Sequence, residues 1–355
     1  VAPRLFDPLL PVTTATPGLP VIRLALAGDV LTLTNERVQK PLSAALLLRG
    51  KTLSLSLDIL RMLLTLCPEA HAAALTAAVR AAGLKDAPDP GEIVRRALVE
   101  AVSETVRTAV YDIPRRHRAL RPALEAARKL RATHARALAD HLSDASEAAF
   151  REAVRAALDE ACLSDVTALF DDFARLPAAD PKALLTVETL AHDELVRLGR
   201  ALLKGKLEAP RAGVPGAFAR ECAREGLAPV FRPKDLFAAR LTEVRRWLDG
   251  KETRLGMLRT LALPDAAPGH GAAVAGLETA RGVLFAAVET DENRIVRAGF
   301  LAPTEWSMRA DGLALVWAKH FLADREEDPR LRERVETLFA AFDPCTDLVW
   351  EDRHA

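Results

Sequence analysis

The sequence predicts a mainly α, α+β fold: a large helical body carrying two small β-hairpin elements. Three observations point there. From Glu36 to about residue 203, alanine and leucine dominate, with arginine and glutamate at helical spacing. Two short runs of strand-forming residues flank turn signals, one near each end of the chain. There is no repeat at a fixed period and no glycine-rich phosphate loop. With 355 residues, 50% hydrophobic and 28% charged, the chain can bury a large core. A single domain over 1–355 is expected.

Residues 1–19 are rich in proline and threonine and are expected to be irregular. Val21-Ile-Arg-Leu-Ala-Leu26 and Val30-Leu-Thr-Leu-Thr34 flank Ala27-Gly-Asp29 and read as a hairpin over about 20–35. A helical body follows over about 36–260. Its first helix covers about 41–49 and stops at Gly50. The second covers about 53–66, where Leu55, Ile59, Leu60, Leu63, Leu64 and Leu66 form a wide apolar face. Pro68 suits a first helical turn and opens a helix over about 68–82 that closes at Gly83. Further helices are expected near 91–110, 118–141, 146–161, 164–175 and 182–203. Ser164-Asp165 and Asp180-Pro181 serve as starts. Stretches 205–216 and 263–276 read as loops around a helix at about 234–250. Val283-Leu-Phe-Ala-Ala-Val288 and Ile295-Val-Arg-Ala-Gly-Phe-Leu301 surround Thr290-Asp-Glu-Asn293, giving a second hairpin over about 282–302. The last helix, about 329–341, must end before Asp343-Pro344, because proline pushes the preceding residue away from helix. Cys345 is thereby presented in a turn, within a C-terminal unit of about 329–355.

Lys+Arg and Asp+Glu balance at 49 each, which excludes a general nucleic-acid binder or membrane-surface protein. Arg115-Arg116-His117-Arg118 lacks interleaved aromatics and reads as a solvated helix face, as do His134 and His141. The four cysteines, at 67, 162, 222 and 345, form no CxxC pair and no disulfide scaffold. Val1-Ala-Pro-Arg-Leu5 lacks the pattern of a secretory leader. No apolar run approaches the roughly 20 residues that span a bilayer. A cytoplasmic protein without membrane insertion is expected.

Chemistry concentrates in two places. In Leu64-Thr-Leu-Cys67-Pro68-Glu-Ala70-His71, Cys67 and His71 are four apart and share a face if the turn is helical. Such a pair can bind a soft or borderline metal, or simply hydrogen-bond. It can also form a Cys–His nucleophile, although no orienting Asn or Asp and no oxyanion hole are marked. The second place is the Asp343-Pro-Cys345 turn, whose thiol is equally compatible with plain packing. Trp306, after Pro303-Thr-Glu, is a core anchor.

Taken in order, these segments resemble the large subunit of nickel–iron hydrogenases. The family's CGxC-P-x-A-H stretch is similar to Leu64–His71. Its T-A-R-G segment, strand pair and P-T-x-W-N resemble Thr279-Ala-Arg-Gly282 and Pro303-Thr-Glu-Trp-Ser307. Its closing D-P-C-x-x-C-x-x-H is similar to Asp343-Pro-Cys345-Thr-Asp-Leu348-Val-Trp-Glu351. The match covers roughly residues 36–80 and 276–351. In that family four cysteines hold nickel, and two of them bridge to an iron carrying CO and two cyanides. Leu64 and Leu348 stand at two of those positions, leaving Cys67 at a bridging-type and Cys345 at a terminal-type position. Ser307 replaces an Asn, Ala286 sits near a frequent His, and Glu351 replaces the His that helps bind magnesium.

The resemblance therefore implies no H2 turnover, no catalytic residue and no stable nickel site. The degenerate pattern is similar to hydrogenase maturation proteins of the HupK/HoxV type. That group implies a scaffold which holds the Fe(CN)2CO fragment before it passes to the true large subunit. Cys67 and Cys345 would be the thiolate ligands of a transient iron with CN and CO ligands, and His71 would steady the Cys67 sulfur. Hydrogenase maturation chaperones and the large-subunit precursor are the implied partners. An alternative is a cofactor-free chaperone that binds those partners through a large-subunit-like surface. A divergent redox enzyme would need a complete metal site that the sequence does not supply.

Overall fold

The computed structural model describes residues 21–27, 30–36, 44–64, 66–84, 87–117, 120–161, 163–176, 185–208, 216–225, 232–264, 266–309, 312–323, 330–346 and 348–351. The expected irregular segment 1–19, the Gly28-Asp29 turn, the Asp180-Pro181 helix start and Cys162 lie outside them.

The N-terminal hairpin forms as expected, with β1 over Ile22–Ala27 antiparallel to β2 over Val30–Asn35. A short helix α1, Ala44–Leu47, leads to α2, Leu53–Leu63, whose N-cap Thr52 accepts a hydrogen bond from the Leu55 amide. Helix α3, Pro68–Ala81, begins at Pro68 and closes before Gly83, whose φ of 96° suits glycine. Helix α4, Pro90–Arg107, runs on into a π-turn over Thr108–Asp112 and a 3-10 turn over Pro114–Arg116.

The helix expected from 118 starts later, as α5, Leu124–Ala139, because Pro122 cannot sit inside it. Ser143 caps α6, Asp144–Glu160, and α7, Leu163–Ala168, tightens into a 3-10 turn over Leu169–Phe173. Of the helix expected over 182–203, the described residues from 185 form α8 only over His192–Leu203, because Thr186 and Thr189 bond their own turn. Residues 209–215 of the expected 205–216 loop lie outside the described residues; an unanticipated helix α9, Ala217–Glu225, then precedes α10, Pro233–Leu248.

The largest correction concerns the second β element. It is a four-stranded antiparallel meander: β3 Leu258–Ala262, β4 His270–Thr279, β5 Gly282–Asp291 and β6 Arg294–Leu301. The stretch 263–276, read as a loop, is largely β4. Its sequence, His-Gly-Ala-Ala-Val-Ala-Gly-Leu, carries few β-formers and no polar alternation, because the sheet is covered on both faces. Helix α3 packs on one face against Ala275, Leu277, Leu284, Ala286 and Val288. Helix α8 packs on the other against Val274, Val283, Phe285 and Ala287. Small residues permit this closeness: a Cβ on Gly271 would lie 1.7 Å from the Ala82 carbonyl oxygen, and one on Gly299 2.6 Å from that of Leu202.

After β6 come α11, Pro303–Ser307, α12, Leu313–Ala323, and α13, Leu331–Ala340. The final strand β7, Leu348–Glu351, adds parallel to β1, making the hairpin part of a three-stranded sheet. A third core joins this sheet to α4–α6, α10, α12 and α13 through Leu24, Leu33, Val106, Phe150, Phe237, Trp317 and Phe339. Arg220 of α9 lies buried between Glu243 and Glu278 and ties α10 to the end of β4.

The basic stretch at 115–117 is less solvated than expected. His117 is buried, with Nδ1 2.8 Å from Glu333 and Nε2 2.8 Å from the Thr337 hydroxyl. His134 also departs from its solvated reading, since its ring lies 5.8 Å from that of Phe150. Burial pushes its imidazole from 6.5 to about 4, with Arg96 and Arg107 acting the same way and Glu69 opposing them. The unfolded chain therefore binds this proton first. Stability is whole above pH 6.5 and falls by up to about 3 kcal/mol as pH drops towards 4. His134→Gln should flatten the fall in melting temperature between pH 6.5 and 4. An unchanged slope would remove His134 as its source.

Candidate functional site

Cys67 and Cys345, 278 positions apart, are brought to one site, where Glu104 takes the Cys67 amide and Arg281 joins Glu104 to the Asp343 carbonyl. Each sits in a backbone turn that the sequence around it enforces. Cys67 is the N-cap of α3 in the left-handed region, φ 53° and ψ 38°, with Pro68 opening the helix behind it. Cys345 follows Asp343, itself left-handed at φ 49°, in the exit from α13. Neither thiol is in a disulfide; Cys345 is buried and Cys67 half-buried.

The neighbouring Cys345, followed by burial, holds the Cys67 pKa well above the ordinary thiol value. The negative charge of Glu104 adds to the rise and Arg281 opposes it. These causes favour the neutral form of the Cys67 thiol.

Four side chains fix the two turns relative to each other. Glu104 of α4 accepts a 2.9 Å hydrogen bond from the Cys67 amide with Oε1 and one from Arg281 Nη1 with Oε2. Arg281, in the tight turn between β4 and β5, donates from Nε to the Asp343 carbonyl oxygen at 2.5 Å. The Asp343 carboxylate takes Thr108 Oγ1 at 3.0 Å and lies 3.2 Å from Arg240 Nη1 and 3.3 Å from Arg281 Nε. Burial alone would raise the Asp343 pKa, but Arg281, Arg240 and Arg107 lower it. From the other side, Thr304 of α11 accepts from the Cys345 amide at 3.0 Å and donates to its sulfur at 3.1 Å. Asn35 at the end of β2 anchors α11 by donating to the Thr304 and Met308 carbonyls.

The start of α3 is pinned as well. The Glu100 carboxylate accepts from the Glu69 and Ala70 amides at 2.8 and 3.0 Å. Burial and the neighbouring Glu104 charge nevertheless raise its pKa well above the carboxylate range. Glu69 is buried between Arg61 and Arg96, whose charges outweigh its burial and lower its pKa. His71, buried within α3, has Nδ1 2.8 Å from the Cys67 carbonyl oxygen, so that nitrogen carries the proton and donates. The sequence placed His71 against the sulfur; this bond is to the Cys67 backbone.

Among the described residues, no group of three or more His, Cys, Asp or Glu side chains could hold a metal ion. What the protein offers is a pair of thiols beneath a buried guanidinium. Arg281 is close enough for both sulfurs to act on its charge, and its Nη2 is buried with no hydrogen-bond partner. Leu64 follows α2 and packs on the α3 core, while Leu348 opens β7 opposite Ile22. Glu351 lies 3.8 Å from Arg23. Ala286 is fully buried in β5, and Ser307 and Trp306 are buried in α11.

Sequence reasoning missed Glu104 and Arg240, and it quoted Arg281, Thr304 and Asp343 only as parts of motifs. The partners of their side chains named above lie 37 to 235 positions away, and no local pattern signals such pairings. An isolated Glu on a predicted helix carries no mark of burial; only the i,i+4 spacing of Glu100 and Glu104 on an otherwise apolar face of α4 could have drawn attention.

No family model matches the chain. In fold it is similar to an NAD+-reducing nickel–iron hydrogenase in its H2-reduced state, with a TM-score of 0.52 and 15% identity over 89% of this chain and 92% of that one. It is likewise similar to the G50T variant of the nickel–iron–selenium hydrogenase of Desulfovibrio vulgaris Hildenborough, with a TM-score of 0.50 and 14% identity over the same 89% and 92%. At such identity the likeness is one of fold: α+β, of the hydrogenase large-subunit kind. A curated relative is far closer in sequence. The chain is 32% identical over 340 residues, 87% of its length and 90% of the relative's, to the hydrogenase expression/formation protein HupK of Bradyrhizobium diazoefficiens. Within a shared large-subunit-like fold, the chain thus belongs to the family of the hydrogenase expression/formation protein HupK.

Proposed function

We propose that the chain is an accessory protein of hydrogenase formation which transiently carries the Fe(CN)2CO fragment on Cys67 and Cys345. The observation that supports this reading is the convergence of the Cys67 and Cys345 turns, tied together by Glu104, Arg281 and Thr304 where α3 meets the C-terminal turn. Iron that already bears CO and two cyanides has few positions left, so two thiolates can complete its attachment. Metal binding requires both sulfurs to lose their protons, and Arg281 beside them favours the charged form. Its buried, unpartnered Nη2 is a donor suited to a cyanide nitrogen. Leu64 and Leu348, at the other two ligand positions that the resemblance implies, offer no donor atom. The seat then suits iron and fails for nickel, and few sulfur ligands favour release to the precursor.

Anaerobic chain isolated from cells that make the fragment, mixed with metal-free large-subunit precursor, should give up its iron to the precursor. Iron that stays on the chain when an active hydrogenase forms would overturn the reading.

One observation favours a second reading, a cofactor-free chaperone. Helix α2 turns Leu55, Met62 and Leu63 outward, and Leu46 and Leu47 of α1 are exposed too. Maturation chaperones or the precursor would be the partners of such a face. Retained maturation by a chain lacking both Cys67 and Cys345, with loss on Leu55→Ser/Met62→Ser, would favour this reading over the carrier.

A further inference from the structure

We infer that the hairpin of α5 and α6 docks on a second copy of the chain, α5 of each copy lying on α6 of the other in a symmetric, salt-sensitive dimer. The contact involves neither Cys67 nor Cys345 and stands apart from the carrier function.

Charge is segregated along this stretch of a chain whose two signs balance overall. From Arg107 to Arg136, nine arginines and lysines stand against two acids; from Asp140 to Asp172, nine acids stand against two arginines. The two helices are joined by the turn at 140–143 and bury Leu130, Ala137, Phe150 and Val154 in the same core. Their outer faces are exposed, with Lys129, Arg131 and Arg136 on α5 and Asp144, Glu152 and Asp159 on α6. Arg128 pairs within α5 with Glu125 at 2.6 Å, and Arg155 within α6 with Glu152 at 3.8 Å. Among the described residues no ion pair crosses from α5 to α6, and Lys129, Arg136, Asp159 and Glu160 have no ion-pair partner.

A face that is basic on one helix and acidic on the next is complementary to itself. A two-fold axis running along the hairpin sets each α5 on the α6 of the other copy. An axis across the hairpin would stack like charge on like and is repelled. The spacing fits the first arrangement. Lys129 and Arg136 are seven apart on α5, as are Glu152 and Asp159 on α6, about two turns in each case. Laid antiparallel, Arg136 meets Glu152 of the second copy and Lys129 meets its Asp159; the same register brings Arg128 to its Glu160. Exposed Ala132, Ala139, Ala148 and Ala149 between the charges let the helix axes approach closely. Helices of 16 and 17 residues are about 25 Å long and side by side offer roughly 500 Å² per copy. A pair buries about 1,000 Å², the lower end of what a specific interface needs, so the dimer is weak.

Sedimentation of the intact chain reads this association. Dimers should form at micromolar concentration in about 20 mM salt, and association should weaken at least about tenfold in about 500 mM. Lys129→Glu/Arg136→Glu and Glu152→Lys/Asp159→Lys should each weaken self-association at least about tenfold, since each sets like charges against like in the same register. Mixed together, the two variants should form a heterodimer, because opposite signs then face each other at both contacts. A wild type that stays monomeric in low salt would overturn the inference. So would variants that dimerise as the wild type does, or that stay apart when mixed although circular dichroism shows both folded. A monomeric wild type that binds poly-glutamate would instead assign the basic face to an acidic partner and overturn it too.

Discussion

Replacing Cys67 and Cys345 together by alanine is expected to strip the anaerobically isolated chain of iron, from about one per molecule to background, while it still folds. A two-thiolate seat has no redundancy: among the described residues no group of three or more His, Cys, Asp or Glu offers the metal another place. Stability should change little, because each thiol is a small group at a turn, Cys67 at the edge of the α3 core and Cys345 buried beneath Thr304. Two structural cysteines would cost about 1 kcal/mol each at most when shortened to alanine. Iron content, read beside the melting curve, separates loss of a ligand from loss of fold. Iron retained by the double variant would place the metal elsewhere.

The second large effect belongs to Arg281. Arg281→Met should cost about 3–5 kcal/mol, because it leaves Glu104 and Asp343 buried without the charge between them. On a chain of this size that is a fall of roughly 5–15 °C in melting temperature. Arg281→Lys keeps the charge but loses the fork that reaches Glu104 and the Asp343 carbonyl at once, and should fall between the two. The pH dependence has a definite sign. Asp343 titrates below the ordinary carboxylate range, so its stabilisation is present above about pH 4 and is lost as pH falls through the lowered value. The gap between wild type and Arg281→Met should therefore narrow in acid. A gap that stays constant down to pH 3 would show that Asp343 does not hold its charge through Arg281.

These residues also mark where the sequence was legible. Pro68 and Gly83 bracket α3 because proline and glycine act locally, and the structure keeps those ends within a residue or two. Asp343-Pro344 stops the last helix for the same reason. The hairpin β5–β6 was visible from β-branched runs around a polar turn. Strand β4 was not, because alanine and glycine there answer to the closeness of α3 and α8, a tertiary demand with no local trace. Likewise β7 carries only four residues and finds its partner β1 at the opposite end of the chain.

The site divides the same way. Cys67 and Cys345 stood out because rare residues beside proline invite comparison with known motifs. That they meet is a fact of topology. The α4 carboxylates, the arginine between β4 and β5 and the threonine of α11 each looked like ordinary helix or loop residues. Their role comes from burial, which turns a charge that would be worth little at the surface into a constraint on the backbone.

The carrier account is tested most directly by the infrared spectrum of the chain purified without oxygen from cells that make the iron fragment. Bands of metal-bound CO and cyanide should be present in the wild type and gone from the Cys67→Ala/Cys345→Ala variant. A wild-type spectrum without those bands, or a variant spectrum that keeps them, would contradict it.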